Sequence, residues 1–186
     1  MKRKHLSILL SGVLAAAMLA GCGKTPSHTH TAQPVWGWNS TEHWHPCACG
    51  VEVEVAPHNL TDDLTCADCG VELWDMGDGY VDAISYDAHG EVLRMVSFQP
   101  NGRIIGELRW ERAYDADDRP LSVRFYVDDF LQDEDEYGVN ADGDAYVMRN
   151  TNYQEDGSYG INEYDENSNL IMFKSYDADG TLTYES

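Results

Sequence analysis

The sequence has few basic residues. Lys and Arg together number 12 among 186 residues, against 33 Asp and Glu, which gives a formal net charge of −21. Binding to DNA, RNA or an anionic lipid surface draws much of its affinity from Lys and Arg beside phosphate groups. This composition argues against a nucleic-acid partner and leaves an unknown protein or a cationic ligand as the partner classes.

Recognisable catalytic motifs are also missing. The chain contains no G-x-S-x-G nucleophile elbow, no phosphate-cradling glycine loop and no H-E-x-x-H metalloprotease motif. Carboxylates are so numerous that a chance pair of them says little about acid–base chemistry without geometry. We therefore expect a protein that is not an enzyme.

No apolar run is long enough for an ordinary transmembrane helix. The run from Leu6 to Ala20 would extend about 22 Å as a helix, which is short of the roughly 30 Å hydrocarbon core of a bilayer. Three basic residues precede this run, and the small residues Ala20 and Gly21 lead from it to Cys22. This organisation is typical of an export signal.

The residues Leu19, Ala20, Gly21 and Cys22 resemble the lipobox of bacterial lipoproteins. The resemblance implies that residues 1–21 are a signal peptide, that the chain is cleaved before Cys22, and that Cys22 carries the lipid. An ordinary signal peptide with a chance cysteine, or an uncleaved anchor, is the alternative. The protein would then be extracytoplasmic and attached to the bacterial membrane through its lipid.

Residues 22–35 are expected to form a flexible tether. They contain Gly, Pro, Ser and Thr without apolar periodicity. His28 and His30 lie in this segment, where we expect solvated side chains rather than metal ligands.

Apart from Cys22, cysteine is confined to residues 36–72, which also hold three tryptophans and three histidines. The Cys-x-x-Cys-Gly sequence that begins at Cys66 has the form of a zinc knuckle, in which two thiolates on one turn bind the same ion. Cys-x-Cys-Gly at Cys47 is a shorter counterpart. We therefore expect a structural zinc ion held by Cys47, Cys49, Cys66 and Cys69, with His45 or His58 able to replace one cysteine.

Two disulfides or free thiols are alternatives to a zinc site, because an exported protein with four cysteines can oxidise them. Close pairs of cysteines with glycines and nearby histidines suit a metal better than a disulfide. The layout of residues 36–72 resembles a zinc ribbon, and also resembles short Cys- and His-containing modules in surface proteins of anaerobic Gram-positive bacteria. The resemblance to a zinc ribbon implies a small module stabilised by a metal, whereas the resemblance to the surface-protein modules implies no defined role.

Residues 73–186 contain an irregular repeat in which an aromatic residue precedes a turn signal. Y-D-A-H-G at 86–90 and Y-D-A-D-G at 176–180 are clear units, and each leads into a short β-prone run. Such turn sequences favour hairpins. In the run from Leu121 to Val127, apolar residues alternate with others, as a half-buried antiparallel strand requires.

This part of the chain resembles the tyrosine-aspartate (YD, or Rhs-like) repeats and the related MORN-like repeats of bacterial surface proteins. The resemblance implies a scaffold or binding surface, and the composition makes this part of the chain acidic. Asp118 and Ser168 stand where most units have glycine, and the spacing is uneven, which favours an open sheet over a closed shell. The expected fold is therefore mainly β: an antiparallel β-meander of hairpin repeats at 73–186, preceded by the zinc-ribbon-like module at 36–72.

These features predict a membrane-anchored bacterial surface lipoprotein that acts as a non-enzymatic binding or interaction module. A lipoprotein that binds or stores zinc is one alternative. An immunity-like partner of a secreted basic toxin is another.

Overall fold

The computed structural model describes residues 29–186, so Cys22 and the predicted signal peptide lie outside the described residues. The described part folds into strands and contains no helix, and hence none that is long and apolar enough to cross a membrane. The strands are β1 (Gly37–Trp38), β2 (Glu42–Pro46), β3 (Glu52–Pro57), β4 (Glu72–Gly77), β5 (Tyr80–Tyr86), β6 (Val92–Phe98), β7 (Ile104–Tyr114), β8 (Pro120–Val127), β9 (Phe130–Val139), β10 (Ala145–Tyr153), β11 (Tyr159–Tyr164), β12 (Leu170–Tyr176) and β13 (Leu182–Glu185).

The strands form two antiparallel sheets. β1 to β3 make a three-stranded sheet with β2 in the centre, and β4 to β13 make a ten-stranded sheet in which each strand pairs with its neighbours in the chain. The larger sheet is open, since β4 and β13 lie at its two edges. The predicted mainly β fold, an antiparallel meander preceded by a small module with a Cys/His cluster, is confirmed.

One turn geometry recurs along the ten-stranded sheet. In the turn after β5, the N–H of Asp87 donates to the carbonyl of Glu91, and the N–H of Gly90 donates to the carbonyl of Asp87. Gly90 has a φ of 82°, which suits a three-residue hairpin loop closed by a left-handed residue. The same pair of hydrogen bonds closes the turns that begin at Gln99, Asp115, Asn140, Gln154, Asp165 and Asp177.

The small module packs against one end of the long sheet. Cys66 and Val71 form a buried cluster with Ala83 of β5 and with Val96 and Phe98 of β6. Trp38, Cys69 and Leu73 pack around this cluster. The main apolar core of the described chain thus lies where the module covers β4 to β6.

The two faces of the long sheet differ in charge pairing. Directly paired residues, and residues two apart on one strand, share a face. By this rule one face, here called the ion-pair face, carries a series of pairs between acidic and basic side chains: Arg94–Glu107, Arg109–Glu111, Arg124–Glu134, Arg149–Glu136 and Lys174–Glu185. The module covers the β4–β6 end of this same face.

Candidate functional site

Two histidines and two cysteines meet between the module and the long sheet. His43, His58, Cys66 and Cys69 each offer one ligand atom, and these four atoms lie within 4.8 Å of one another. His43 is 3% exposed and Cys66 is 1% exposed. We call these four residues the first cluster.

Two sulfur–nitrogen distances in the first cluster fit a tetrahedral ion. Nδ1 of His43 lies 3.4 Å from Sγ of Cys66, and Nδ1 of His58 lies 3.6 Å from Sγ of Cys69. A tetrahedral zinc ion, with Zn–S near 2.3 Å and Zn–N near 2.05 Å, would separate a sulfur and a nitrogen ligand by about 3.6 Å. Two imidazoles and two thiolates are also a common donor set of structural zinc sites.

The cysteines of the first cluster are held by a tight turn. The N–H of Cys66 donates to the carbonyl of Val71, and the N–H of Gly70 donates to the carbonyl of Cys66. Gly70 has a φ of 73°, a conformation that glycine adopts without steric cost. The turn therefore presents both thiols on the same side, as a metal knuckle requires.

The ring of His58 is oriented by a second hydrogen bond. Its Nε2 atom lies 2.9 Å from the carbonyl oxygen of Asn39, which can only accept a proton. Nε2 therefore carries the hydrogen, and the lone pair of Nδ1 faces Cys69. Outer hydrogen bonds of this kind fix the tautomer of metal-binding histidines. Asn39 is itself anchored, because its side-chain oxygen accepts the N–H groups of Thr41 and Glu42.

The two thiols of the first cluster differ in acidity. Burial raises the pKa of Cys66, but hydrogen bonds from backbone N–H groups, that of Cys69 foremost, outweigh it and bring the pKa to about 6. Burial raises the pKa of Cys69 to about 11, and the neighbouring Cys66 thiolate adds to the increase. Without a metal, the cluster therefore holds one thiolate and one thiol at neutral pH.

The structure divides the four cysteines between two places. Cys47 and Cys49 lie on the turn between β2 and β3 and join His30 in a second cluster, whose three ligand atoms also lie within 4.8 Å of one another. All four cysteines are free thiols. The single four-cysteine site that the spacing predicts is thus not assembled, because the β2–β3 turn does not bring Cys47 and Cys49 among the ligand atoms of the first cluster.

His45, a predicted substitute ligand, belongs to neither cluster. Its Nδ1 atom lies 2.8 Å from the carbonyl oxygen of Val35, and its ring stacks on Trp36 at a centroid distance of 3.7 Å. The register between β2 and β3 shifts between His43 and His45, with the extra residue on β3, where Glu54 has a φ of 58°. Trp36 contacts both rings, but only His43 has a cysteine sulfur beside it.

His43 and His30 are the ligand candidates that the sequence reasoning missed. His43 was passed over because nothing local distinguishes it from His45. His43 is 3% exposed at the centre of the three-stranded sheet, and the H-W-H pattern gives no signal that selects it over His45. Residues 29–35, expected to belong to a tether, include Ala32, which pairs with Cys47 and brings His30 to the β2–β3 turn.

The side of the long sheet opposite the ion-pair face is here called the aromatic face. Trp110 and Phe125 pack on it with ring centroids 5.0 Å apart, and Phe173 and Tyr184 pack further along it at 5.9 Å. Two shallow depressions open on it, one beside Trp110 and one beside Asn150.

Between these aromatic pairs runs a row of carboxylate and carboxamide side chains on β9, β10 and β11. The amide of Asn150 donates to Asp135 at 2.7 Å, and the amide of Asn152 donates to Asp133 at 2.5 Å. Asn162 extends the row, since its amide lies 3.3 Å from the side-chain oxygen of Asn150. Burial raises the pKa of Asp133, and the charge of Asp135 adds to the increase. Within residues 29–186, neither aspartate has a Lys or Arg at ion-pair distance.

Comparisons with known proteins give no relative. No family model and no curated protein matches the chain. Among solved structures, the WD40 domain of Neurospora crassa Pan2 is similar at 10% sequence identity with a TM-score of 0.22. The match covers 81% of this chain and 48% of that chain, so this chain spans about half of its length. A TM-score this low does not indicate a shared fold.

Proposed function

We propose that this protein is a non-enzymatic binding module of the bacterial cell surface, and that the aromatic face binds a cationic segment of a partner protein. The observation that carries the proposal is the placement of Asp133 and Asp135 between aromatic pairs, where their side-chain hydrogen-bond partners among residues 29–186 are the amide groups of Asn150 and Asn152. An Arg or Lys side chain placed there gains a carboxylate partner and an aromatic contact together. A secreted basic toxin is one partner of this chemistry.

The contrast between the two faces supports this assignment. On the ion-pair face the acidic side chains already have basic partners, so a cationic ligand would have to displace them. On the aromatic face Asp133 and Asp135 have amide partners, which are weaker competitors for a guanidinium group, while Arg112 of the same face is paired with Asp87. The raised pKa of Asp133 means that its charge is destabilised in the free protein, and a bound cation relieves this cost.

A binding experiment tests the proposal with hexa-arginine as the probe and tryptophan fluorescence, to which Trp110 contributes, as one readout. The variant Asp133→Asn/Asp135→Asn removes two charges from the aromatic face. The control Glu155→Gln/Glu166→Gln removes two charges from exposed turns. We expect the first variant to weaken binding by about tenfold, or ~1.4 kcal/mol, and the control to leave it nearly unchanged. Equal weakening in both variants would indicate attraction to the net charge alone and would overturn the proposal.

The first cluster is proposed to hold a structural zinc ion. It offers four ligand atoms, two thiols and two imidazoles, in the interior between the module and the sheet. A four-coordinate site of this kind leaves no position for substrate, which suits a structural role. Elemental analysis of protein purified without added metal tests the assignment, and the absence of bound zinc from the reduced protein would contradict it.

The membrane anchor is proposed to be lipid on Cys22, outside the described residues. Two or more acyl chains hold a protein on a membrane stably, whereas one chain binds reversibly. The variant Cys22→Ala is expected to lose lipid labelling and to be extracted without detergent. Unchanged labelling would exclude Cys22 as the attachment site.

A further inference from the structure

The turn between β2 and β3 carries a second group of metal-binding atoms. Sγ of Cys49 lies 3.1 Å from Sγ of Cys47, and Nδ1 of His30 lies 3.2 Å from Sγ of Cys49. None of these residues belongs to the first cluster. The group therefore needs an explanation separate from the structural zinc site.

The backbone determines this arrangement. Ala32 pairs with Cys47 in an antiparallel bridge, and the N–H of Gln33 donates to the carbonyl of Pro46 at 3.0 Å. This pairing ends at Cys47, where the turn begins, and His30 lies two residues before Ala32 with its Nδ1 atom 3.2 Å from Sγ of Cys49. The imidazole thus meets the thiols next to a hydrogen-bonded backbone pairing.

The turn also positions the two thiols. The N–H of Cys47 donates to the carbonyl of Val51, and the N–H of Gly50 donates to the carbonyl of Cys47, which is the hairpin geometry that recurs in the long sheet. In the long sheet the first turn residue is often an aspartate that accepts the N–H two positions later, as Asp87 does from His89. Cys47 occupies the equivalent place, so its sulfur is aimed at the turn.

The second cluster has three ligands and stands open to solvent. Cys47 is buried, whereas His30 and Cys49 are exposed. Zinc sites with three protein ligands keep a fourth position for water or another ligand, and thiolates with an imidazole select thiophilic cations such as Zn²⁺ or Cu⁺ over Mg²⁺ and Ca²⁺. Two thiolates would also neutralise the charge of a divalent ion.

We propose that His30, Cys47 and Cys49 form a second metal site, which binds a thiophilic cation with one open coordination position and exchanges it with solvent. The first cluster keeps its ion as part of the fold, and the second cluster loads and releases one. A chelator or an acceptor protein reaches the open position, because two of the three ligands are exposed. Its open coordination position is the feature that a zinc-handling function would require.

Zinc content of the full mature protein, prepared reduced and without oxygen, tests the proposal. We expect about two zinc ions per chain in the wild type and about one in Cys49→Ser and in His30→Ala, a twofold fall. His89→Ala, which changes an exposed turn histidine, should retain both ions. A wild type with one ion, or a Cys49→Ser variant with two, would overturn the proposal.

Exchange and metal preference are read in the same preparations. A mild chelator should remove one ion rapidly while the circular dichroism spectrum and the melting temperature stay constant, and only unfolding should release the other. Loss of structure together with the first ion would show that the second cluster is structural and would overturn the proposed exchange.

Binding of Cu⁺ in place of Zn²⁺ supports the proposed second site, whereas a Cys47–Cys49 disulfide in the oxygen-free preparation would contradict it. Because the binding of hexa-arginine is measured separately, failure of this proposal is distinguishable from failure of the aromatic-face proposal.

Discussion

Nδ1 of His43 lies 3.4 Å from Sγ of Cys66, although 23 positions separate the two residues in the chain. His43 belongs to the central strand of the small sheet, and Cys66 is packed against the long sheet. An ion bound between them would therefore tie the small sheet to the end of the large one. The metal centre and the main apolar core of the described chain share the residue Cys66.

Replacing His43 tests which imidazole completes the first cluster. We expect His43→Ala to lower the zinc affinity by more than about 100-fold, since the loss of outer hydrogen-bond partners alone costs 10–100-fold. His45→Ala should retain the ion, because Nδ1 of His45 is engaged with the carbonyl of Val35. Competition with a chromophoric chelator measures both affinities.

A rescue variant separates loss of a ligand from loss of folding. His43→Cys replaces an imidazole by a thiol and leaves three thiols and one imidazole, which is also a zinc-binding set. We expect it to recover zinc binding that His43→Ala loses. Equal loss in the two variants would indicate that His43 acts through packing rather than as a ligand.

Zinc loading of the first cluster should release about one proton at pH 7.5, where two unperturbed thiols would release nearly two. The reason is that Cys66, with a pKa of about 6, is already a thiolate at this pH, whereas Cys69, with a pKa of about 11, still carries its proton. Calorimetry in buffers of different ionisation enthalpy measures the number. Release of two protons would contradict the assigned acidities.

The same acidities predict how the stability of the metal-free protein depends on pH. The pKa of the Cys66 thiol falls from 9.0 to about 6 on folding, so its stabilising contribution is complete above pH 9 and is lost as the pH falls toward 6. Cys69 has a raised pKa, and its contribution is lost only as the pH rises toward 11. From these two shifted pKa values we expect the melting temperature of the metal-free protein to rise between pH 6 and pH 9. Comparison with Cys66→Ser, in which the rise should be smaller, assigns the effect.

Because the module packs on the long sheet, we expect the stability of the fold and the retention of zinc to be coupled. Phe98 is 3% exposed and packs in the cluster that contains Cys66. Phe98→Ala should therefore lower the free energy of unfolding by about 3–5 kcal/mol and accelerate zinc release. Phe125→Ala, on the aromatic face, should destabilise less and leave zinc release unchanged. Urea titration and chelator kinetics provide the two measurements.

The fold was predictable from sequence because its determinants are local. Turn pairs such as Asp-Gly, together with alternating apolar residues, specify hairpins within about a dozen residues. Val123 and Phe125 do share one face, as the alternation predicts. The open form of the sheet was also foreseeable, since the uneven spacing argues against a closed repeat.

The metal ligands were predictable only where they are close in sequence. Cys66 and Cys69 come together because one short turn holds them. The partners of the cysteines depend on how the strands pack: His30 reaches Cys49 beside the pairing of Ala32 with Cys47, and His43 lies beside Cys66, whereas His45 faces the carbonyl of Val35. Neither arrangement is encoded in the spacing of cysteines and histidines.

Ser168 and Gly143 provide opposite tests of the recurring turn. Ser168 has a φ of 62° and Gly143 a φ of 91°, both at the closing position of a turn. A left-handed backbone conformation costs a residue with a Cβ about 1–2 kcal/mol, so glycine at such a position stabilises the folded state. The greater flexibility of glycine in the unfolded chain offsets part of this stabilisation. We expect Ser168→Gly to stabilise by up to about 1 kcal/mol and Gly143→Ser to destabilise by a similar amount. A side chain at Gly143 meets no atom within 4 Å, so a clash cannot account for that loss.

Asp133 links the stability of the sheet to binding on the aromatic face. Its pKa is raised above 3.8 because burial and the charge of Asp135 disfavour the carboxylate, so this group loses stabilising effect as the pH rises through its folded pKa. Asp133→Asn removes the charge, and we expect a higher melting temperature at pH 7 together with weaker binding of hexa-arginine. Well below pH 3.8 the carboxyl is protonated in both the folded and the unfolded protein, and the difference in melting temperature should disappear. A stabilised variant that binds normally would show that the buried charge is not used for recognition, whereas stability gained at the expense of binding is the outcome expected of a functional carboxylate.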